Sequence, residues 1–284
     1  MGLAKTVVKL ETEEPSLRLA VLIDADNAQA AVIEGVLAEI ARYGEAAVRR
    51  IYGDFTSPSS ASWKKVLNQH SIKPVQQFAY TTGKNATDST MIIDAMDLLY
   101  TRKFDGFCLV TSDSDFTGLA VRLREEGLQV FGLGERKTPE PFRNACHKFI
   151  FTEIFRQTTE EKAAPLAAAV VLSAAPTPPV TALSNVPGPA GAVPSSAAAQ
   201  PFPRQFVLQA LESAVDDTGW AHLGTFGGYL TKLQPDFDSR HYGFKKLSDL
   251  VKAKKDLFDT EERMPPGSQQ KVLYLRAAAQ ASQP

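Results

Sequence analysis

The sequence predicts an α/β protein in which a parallel sheet with helices on both faces is joined by a long linker to a small winged-helix-like α+β domain. Three observations predict it. Between residues 17 and 156, short apolar runs alternate with segments of helical apolar spacing, the pattern of repeated strand–helix–strand units. From Ala163 to Pro203 there is no charged residue, and of those 41 positions 13 are Ala and nine are Pro, a composition that breaks helices and offers little to pack. Residues 204–276 then return to helical spacing and close on a strand pattern.

The elements of the first domain follow in order. Leu17–Ile23 is an apolar run that ends in Asp24. Ala28–Tyr43 places Val32, Val36, Leu37 and Ile40 at helical spacing and stops at Gly44, a residue that commonly ends helices. Val48–Phe55 reads as a strand, Ser60–Gln69 as a helix and Lys73–Tyr80 as a strand. Asp88–Tyr100 is helical, with Met91, Ile92, Ala95, Leu98 and Leu99 as its apolar face. Phe104–Thr111 is continuously apolar, as a strand covered on both faces must be. Thr117–Glu126 is a helix closed by Gly127; Gln129–Gly134 is a strand, followed by a short helix and a last strand near Lys148–Ile154. The implied organisation is a tail at 1–16, the α/β domain at 17–156, a flexible linker at 157–203, the small domain at 204–276 and a tail at 277–284. As a flexible coil the linker separates its ends by roughly 35 Å, more where prolines stiffen it.

Composition excludes several classes. With 44% hydrophobic and 22% charged residues over 284 positions, the chain is neither wholly disordered nor a disulfide-stapled miniprotein. No apolar run reaches the roughly 18 residues of a membrane helix. The opening MGLAKTVVKLETEEPS lacks the apolar core of a secretory signal. Cys108 and Cys146 have no metal-ligand spacing and fit free thiols in a reducing, cytoplasmic setting. The net charge is −1; residues 17–156 hold 17 basic and 17 acidic side chains, and residues 204–276 hold 11 and 10. Any contact with a polyanion therefore rests on a local patch.

The chemistry lies in the carboxylates. Open parallel sheets bind ligands at the carboxyl ends of their strands. Asp24 and Asp26 follow the first strand in LIDADN, and Asp113 and Asp115 follow the central one in LVTSDSDF. Asp88 stands at a helix start in GKNATDS. Each alone could be a helix cap. Several on one sheet edge repel each other by about 1 kcal/mol per pair even in water, and hard oxygen ligands of this kind suit Mg²⁺ or Mn²⁺. Such ions serve phosphate chemistry, activating water and stabilising a leaving oxygen. No histidine falls within these motifs to act as the base.

The motifs LIDADN, GKNATDSTMIIDAMDLLY and LVTSDSDFTGLAVRLREEG together resemble the NYN domain, a branch of the PIN-like ribonucleases that includes the LabA-like proteins, over about residues 17–156. The resemblance implies a PIN-like sheet and a Mg²⁺- or Mn²⁺-dependent endoribonuclease in which water attacks the phosphodiester. It implies Asp24, Asp88, Asp113 and Asp115 as catalytic metal ligands, with Asn27 in support and Ser112 before the closing pair. Asp94 matches a recurrent acidic position, but it lies six residues after Asp88, about 240° round a helix. It is therefore expected to be structural or to act behind the ligands; Asp26 is not required by the pattern. The Asp24–Asp26 pair also resembles the nucleophile motif of haloacid-dehalogenase phosphatases, a minor alternative from which the chain departs at Ala28 and in lacking a clear lysine before its last acidic motif.

Tyr80, Lys84 and Asn85 adjoin Asp88 and are candidate contacts to a single strand, by stacking and by phosphate binding. Trp63 beside Lys64 and Lys65 reads instead as an amphipathic helix. In the small domain, Phe206, Leu208, Leu211, then Leu223, Phe226, Leu230, Leu233, then Phe244, Leu247 and Leu250 space three helices, and Phe258 with Val272–Leu275 suits a β-wing, the winged helix-turn-helix plan. Its segment HYGFKKLSDLV resembles the LOTUS (OST-HTH) domain, which implies RNA binding and, in some members, a protein partner. Arg240, His241, Lys245 and Lys246 are the expected RNA contacts, with Tyr242, Phe244 and Leu247 as core. The same residues admit an alternative, a non-catalytic RNA-binding or regulatory protein that keeps the fold and its carboxylates.

Overall fold

The computed structural model describes residues 16–56, 60–78, 86–156, 201–264 and 271–278. A six-stranded sheet is formed by β1 (Leu17–Asp24), β2 (Gly44–Gly53), β3 (Lys73–Gln76), β4 (Gly106–Val110), β5 (Gln129–Gly134) and β6 (Lys148–Phe151). Their spatial order is β3-β2-β1-β4-β5-β6, and β1 pairs in parallel with both β2 and β4. The helices are α1 (Ile33–Ile40), α2 (Ala61–Gln69), α3 (Ala86–Tyr100), α4 (Thr117–Glu125) and α5 (Glu140–Ala145).

The sequence order explains the placement of the site. The chain runs outward through β1, β2 and β3, then returns to lay β4 on the other side of β1. The direction of winding thus reverses between β1 and β4, the position where open α/β sheets bind ligands. Leu19–Ile23 of β1 and Phe107–Leu109 of β4 are fully buried, as expected of strands covered on both faces. Ile23 is in register with Val110, so Asp24 and Thr111 leave the sheet side by side. Across β1, Asp24 is in register with Tyr52. Gly53 follows, where an added Cβ would come within 2.8 Å of the Ala25 Cβ; only glycine lets β2 pass this close to the turn after Asp24.

Helix boundaries largely follow the predicted spacing. Trp63 is buried, in keeping with an amphipathic α2, while Lys64 and Lys65 face solvent. Gly127 ends α4 at φ +81°; its N–H donates to Arg124 and the Leu128 N–H to Leu123, at 2.9 and 3.2 Å, the hydrogen-bond pair of a Schellman turn. The segment predicted as one helix over Ala28–Tyr43 is a 3₁₀ turn at Ala30–Val32 followed by α1. β3 is shorter than the predicted Lys73–Tyr80, and Tyr80 lies outside the described residues, as does nearly all of the predicted linker.

In the C-terminal module, α6 (Arg204–Glu212), α7 (Leu223–Leu233) and α8 (Leu247–Ala253) pack with a three-stranded sheet of β7 (Ala221–His222), β8 (Phe258–Arg263) and β9 (Val272–Ala277), ordered β7-β9-β8. Val207, Phe226, Leu230, Leu250, Val251, Phe258 and Leu275 form its core, with Tyr242, Phe244 and Leu247 partly buried against it. By packing, the chain divides into Met1–Phe131 and Gly132–Pro284. Residues 132–156 group with the second unit because they bond within it: the Phe149 N–H donates to the Pro235 carbonyl at 2.9 Å, and Arg143 pairs with Asp236. Among the described residues no helix is long and apolar enough to cross a membrane.

Candidate functional site

Asp24 is the buried foundation of the site. It is 1% exposed. Its Oδ1 accepts the backbone N–H groups of Asp26 and Asn27 at 3.0 and 3.3 Å, and its Oδ2 accepts the Asn27 side-chain amide at 2.8 Å and the Thr111 hydroxyl at 2.9 Å. The short Asp side chain thus closes its own turn and ties β1 to the end of β4. Burial raises the Asp24 pKa, against the lowering effect of these hydrogen bonds.

Thr111 is the site residue that sequence reasoning missed. Besides donating to Asp24, its hydroxyl oxygen accepts the Asp113 N–H at 3.1 Å. The available signal was a hydroxyl at the end of an otherwise apolar buried strand. Asp113 then caps the 3₁₀ turn Ser114–Phe116, its Oδ1 accepting the Asp115 N–H at 3.0 Å. Ser112 is buried beside it.

Three of the predicted carboxylates converge. One oxygen from each of Asp88, Asp113 and Asp115 lies within 4.8 Å of the others. Asp88 is the third residue of α3 rather than its cap. Its carboxyl is pushed up to about 6, first by partial burial and then by the charges of Asp24, Asp113, Asp115 and Asp26. Among the described residues no ion pair reaches Asp24, Asp88 or Asp113. The donor set is all hard oxygen on a partly open sheet edge, which fits Mg²⁺ or Mn²⁺.

The remaining predicted residues separate from this group. Asp26 is exposed and contributes its backbone N–H to Asp24. Asp94 faces β2, where Arg50 and the Tyr52 hydroxyl bond its two oxygens, in line with the rotation expected six residues from Asp88. Lys84 and Asn85 lie outside the described residues. In the C-terminal module, Arg240 is committed to Asp238 through Nε and Nη2, at 2.6–3.1 Å. His241 is half-buried, with its ring 5.1 Å from that of Phe151, and burial lowers its pKa. Lys245 and Lys246 are exposed.

Two domain models match the chain. The NYN domain model matches residues 18–154 and the OST-HTH/LOTUS domain model residues 201–268. No curated protein matches the chain. Among solved structures, the chain is similar to an uncharacterized protein from Nitrosomonas europaea, determined in solution, at 64% identity over 35% of this chain and 92% of that one, with a TM-score of 0.28. It is also similar to a protein of unknown function from Vibrio parahaemolyticus at 17% identity, over 47% of this chain and 91% of that one, with a TM-score of 0.40. The chain carries a NYN domain of PIN-like fold over residues 18–154 and an OST-HTH/LOTUS domain over residues 201–268.

Proposed function

We propose that the chain is a Mg²⁺- or Mn²⁺-dependent endoribonuclease acting in the cytoplasm, with the C-terminal module as a second RNA contact. The observation that carries the reading is the convergence of Asp88, Asp113 and Asp115 at the sheet's switch point, next to a fully hydrogen-bonded Asp24. Asp88, Asp113 and Asp115 would hold the cation, with Asp24 as a further ligand or as a brace through Thr111. A bound divalent cation supplies charge neutralisation at the scissile phosphate and acidifies water to serve as nucleophile.

The chain's own contribution is positioning. Asn27 and Thr111 fix the Asp24 carboxylate, and Thr111 in turn fixes the backbone of Asp113. The clustered negative charge also repels a phosphodiester unless a cation intervenes, so RNA and cation bind together. On the C-terminal module, exposed Lys245 and Lys246 are the cations available to phosphates of single-stranded RNA; Arg240 is engaged with Asp238 and serves chiefly to shape the loop. The same module offers a surface for a protein partner.

The test is cleavage of labelled single-stranded RNA with Mn²⁺, Mg²⁺ or EDTA. Wild type cuts only with metal, and Asp113→Asn loses about a hundredfold or more in rate while still binding RNA. Lys245→Ala/Lys246→Ala reduces the salt dependence of binding, with the log–log slope falling by roughly 1.4 for two phosphates on a single strand. RNA bound but uncut under all conditions would replace this reading with a non-catalytic one.

A further inference from the structure

We infer that Arg50, Tyr52 and Asp94 form a latch that positions α3 so that Asp88 reaches Asp113 and Asp115; the inference rests on the metal-site reading above. Arg50 and Tyr52 are two residues apart on β2 and so project from the same face of the sheet. Both meet one carboxylate on α3: Arg50 Nη1 donates to Asp94 Oδ1, and the Tyr52 hydroxyl donates to Asp94 Oδ2. Tyr52 is fully buried, and the Arg50 and Asp94 side chains are 24% and 20% exposed. This is a half-buried, charge-assisted site with both acceptor oxygens used.

Tyr52 acts at two points. Its backbone carbonyl accepts the Ala25 N–H at 2.9 Å, which fixes the turn after Asp24. Its side chain holds the helix that carries Asp88. A single residue therefore references both acidic elements to the same point on β2. Asp94 lies about 9 Å along the helix axis from Asp88, so a small rotation of α3 about the latch swings Asp88 out of the cluster. One Asp88 oxygen lies within 4.8 Å of oxygens of Asp113 and Asp115, and like charges at that separation push the helix outward when no cation is bound. The latch opposes it. A carboxylate at 94 accepts from both donors at once and carries the charge that Arg50 meets. An asparagine keeps one oxygen for Arg50 but loses the charge, and its N–H turns toward the Tyr52 hydroxyl, whose own proton then has no acceptor at position 94.

Amide hydrogen exchange over residues 87–92 of the metal-free full chain tests the latch. Asp94→Asn speeds exchange there by about tenfold; Tyr52→Phe does so by a few fold, and Arg50→Lys, which keeps a cation, stays near wild type. Exchange in β4 stays unchanged in all three. A folded Asp94→Asn with wild-type exchange at 87–92 overturns the latch. If Asp94→Asn does not fold, Tyr52→Phe, which removes a single hydroxyl, decides in the same way. Mn²⁺ affinity is the second measurement. It weakens about fivefold or more in Asp94→Asn, and unchanged affinity overturns the latch as well. A wild type that binds no Mn²⁺ refutes the metal site instead, and the exchange result alone then judges the latch.

Discussion

Both domains pair acidic residues locally, and they differ at one cluster. In the C-terminal module, Asp238 is held by Arg240, Glu262 by Lys252, Glu261 by Arg263 and Asp259 by Arg276, at 2.6–3.2 Å. Arg263 and Arg276 also stack on the Trp220 ring, at 4.6 and 4.8 Å from its centroid. In the NYN domain, Asp94 receives Arg50, while Asp88 is brought within 4.8 Å of two further carboxylates. The same helix thus holds one carboxylate paired by a neighbouring strand and, six residues earlier, one set among like charges, which the proposed cation would neutralise. The contrast sets a paired, structural carboxylate beside the cluster proposed to take a ligand.

The largest expected effect breaks the contrast at its acidic end. At a hundredfold excess over its dissociation constant, Mn²⁺ stabilises the wild type by about 2.7 kcal/mol, read as a rise in melting temperature. Asp88→Asn abolishes that gain and, by removing a repelled charge, raises the melting temperature of the metal-free protein at neutral pH. A metal-free Asp88→Asn less stable than wild type would mean that the cluster is held together without a cation.

A smaller effect follows from titration. The Asp88 carboxyl is pushed up to about 6 in the folded chain from an ordinary 3.8, so the native state holds this proton more tightly than the unfolded chain. Its contribution to stability is present below 3.8 and is lost as pH rises through about 6. Metal binding has the opposite slope, strengthening over the same interval as protons stop competing. Melting curves with and without Mn²⁺ between pH 4 and 7 should therefore diverge, and in Asp88→Asn this divergence should be lost.

The smallest effect lies at the paired end. Arg276→Ala breaks an exposed ion pair with Asp259 and costs less than about 1 kcal/mol, measured by urea unfolding, with no change in Mn²⁺ binding. A larger cost would place the weight on the Trp220 stack rather than on the charges.

Much of this was legible in the sequence. Strand and helix follow from periodicity, and the ends of β1 and β4 follow from where apolar runs meet Asp24 and Thr111. The 240° offset between Asp88 and Asp94 separated the two carboxylates, and Asp94 does turn to β2. What could not be read were partners chosen by tertiary register. Arg50 and Tyr52 lie 44 and 42 residues from Asp94, and Thr111 lies 87 from Asp24. No local pattern marks such pairs, because each is set by which strands become neighbours. The same holds for Arg240. Its charge suggested a phosphate contact, and only the loop geometry gives it to Asp238.

The parallel order of the sheet also sets a clock. β1 acquires β4 as a neighbour only after some ninety residues of intervening chain have been made, as the Leu19–Gly106 register requires. Strand pairing at such separation is slow, and synthesis proceeds from the N-terminus. Asp24 thus leaves the ribosome well before Asp113 and Asp115, which follow it by about ninety residues. A nascent chain therefore carries the first acidic residue without the other three, and the proposed cation site stays incomplete until translation has passed the central strand.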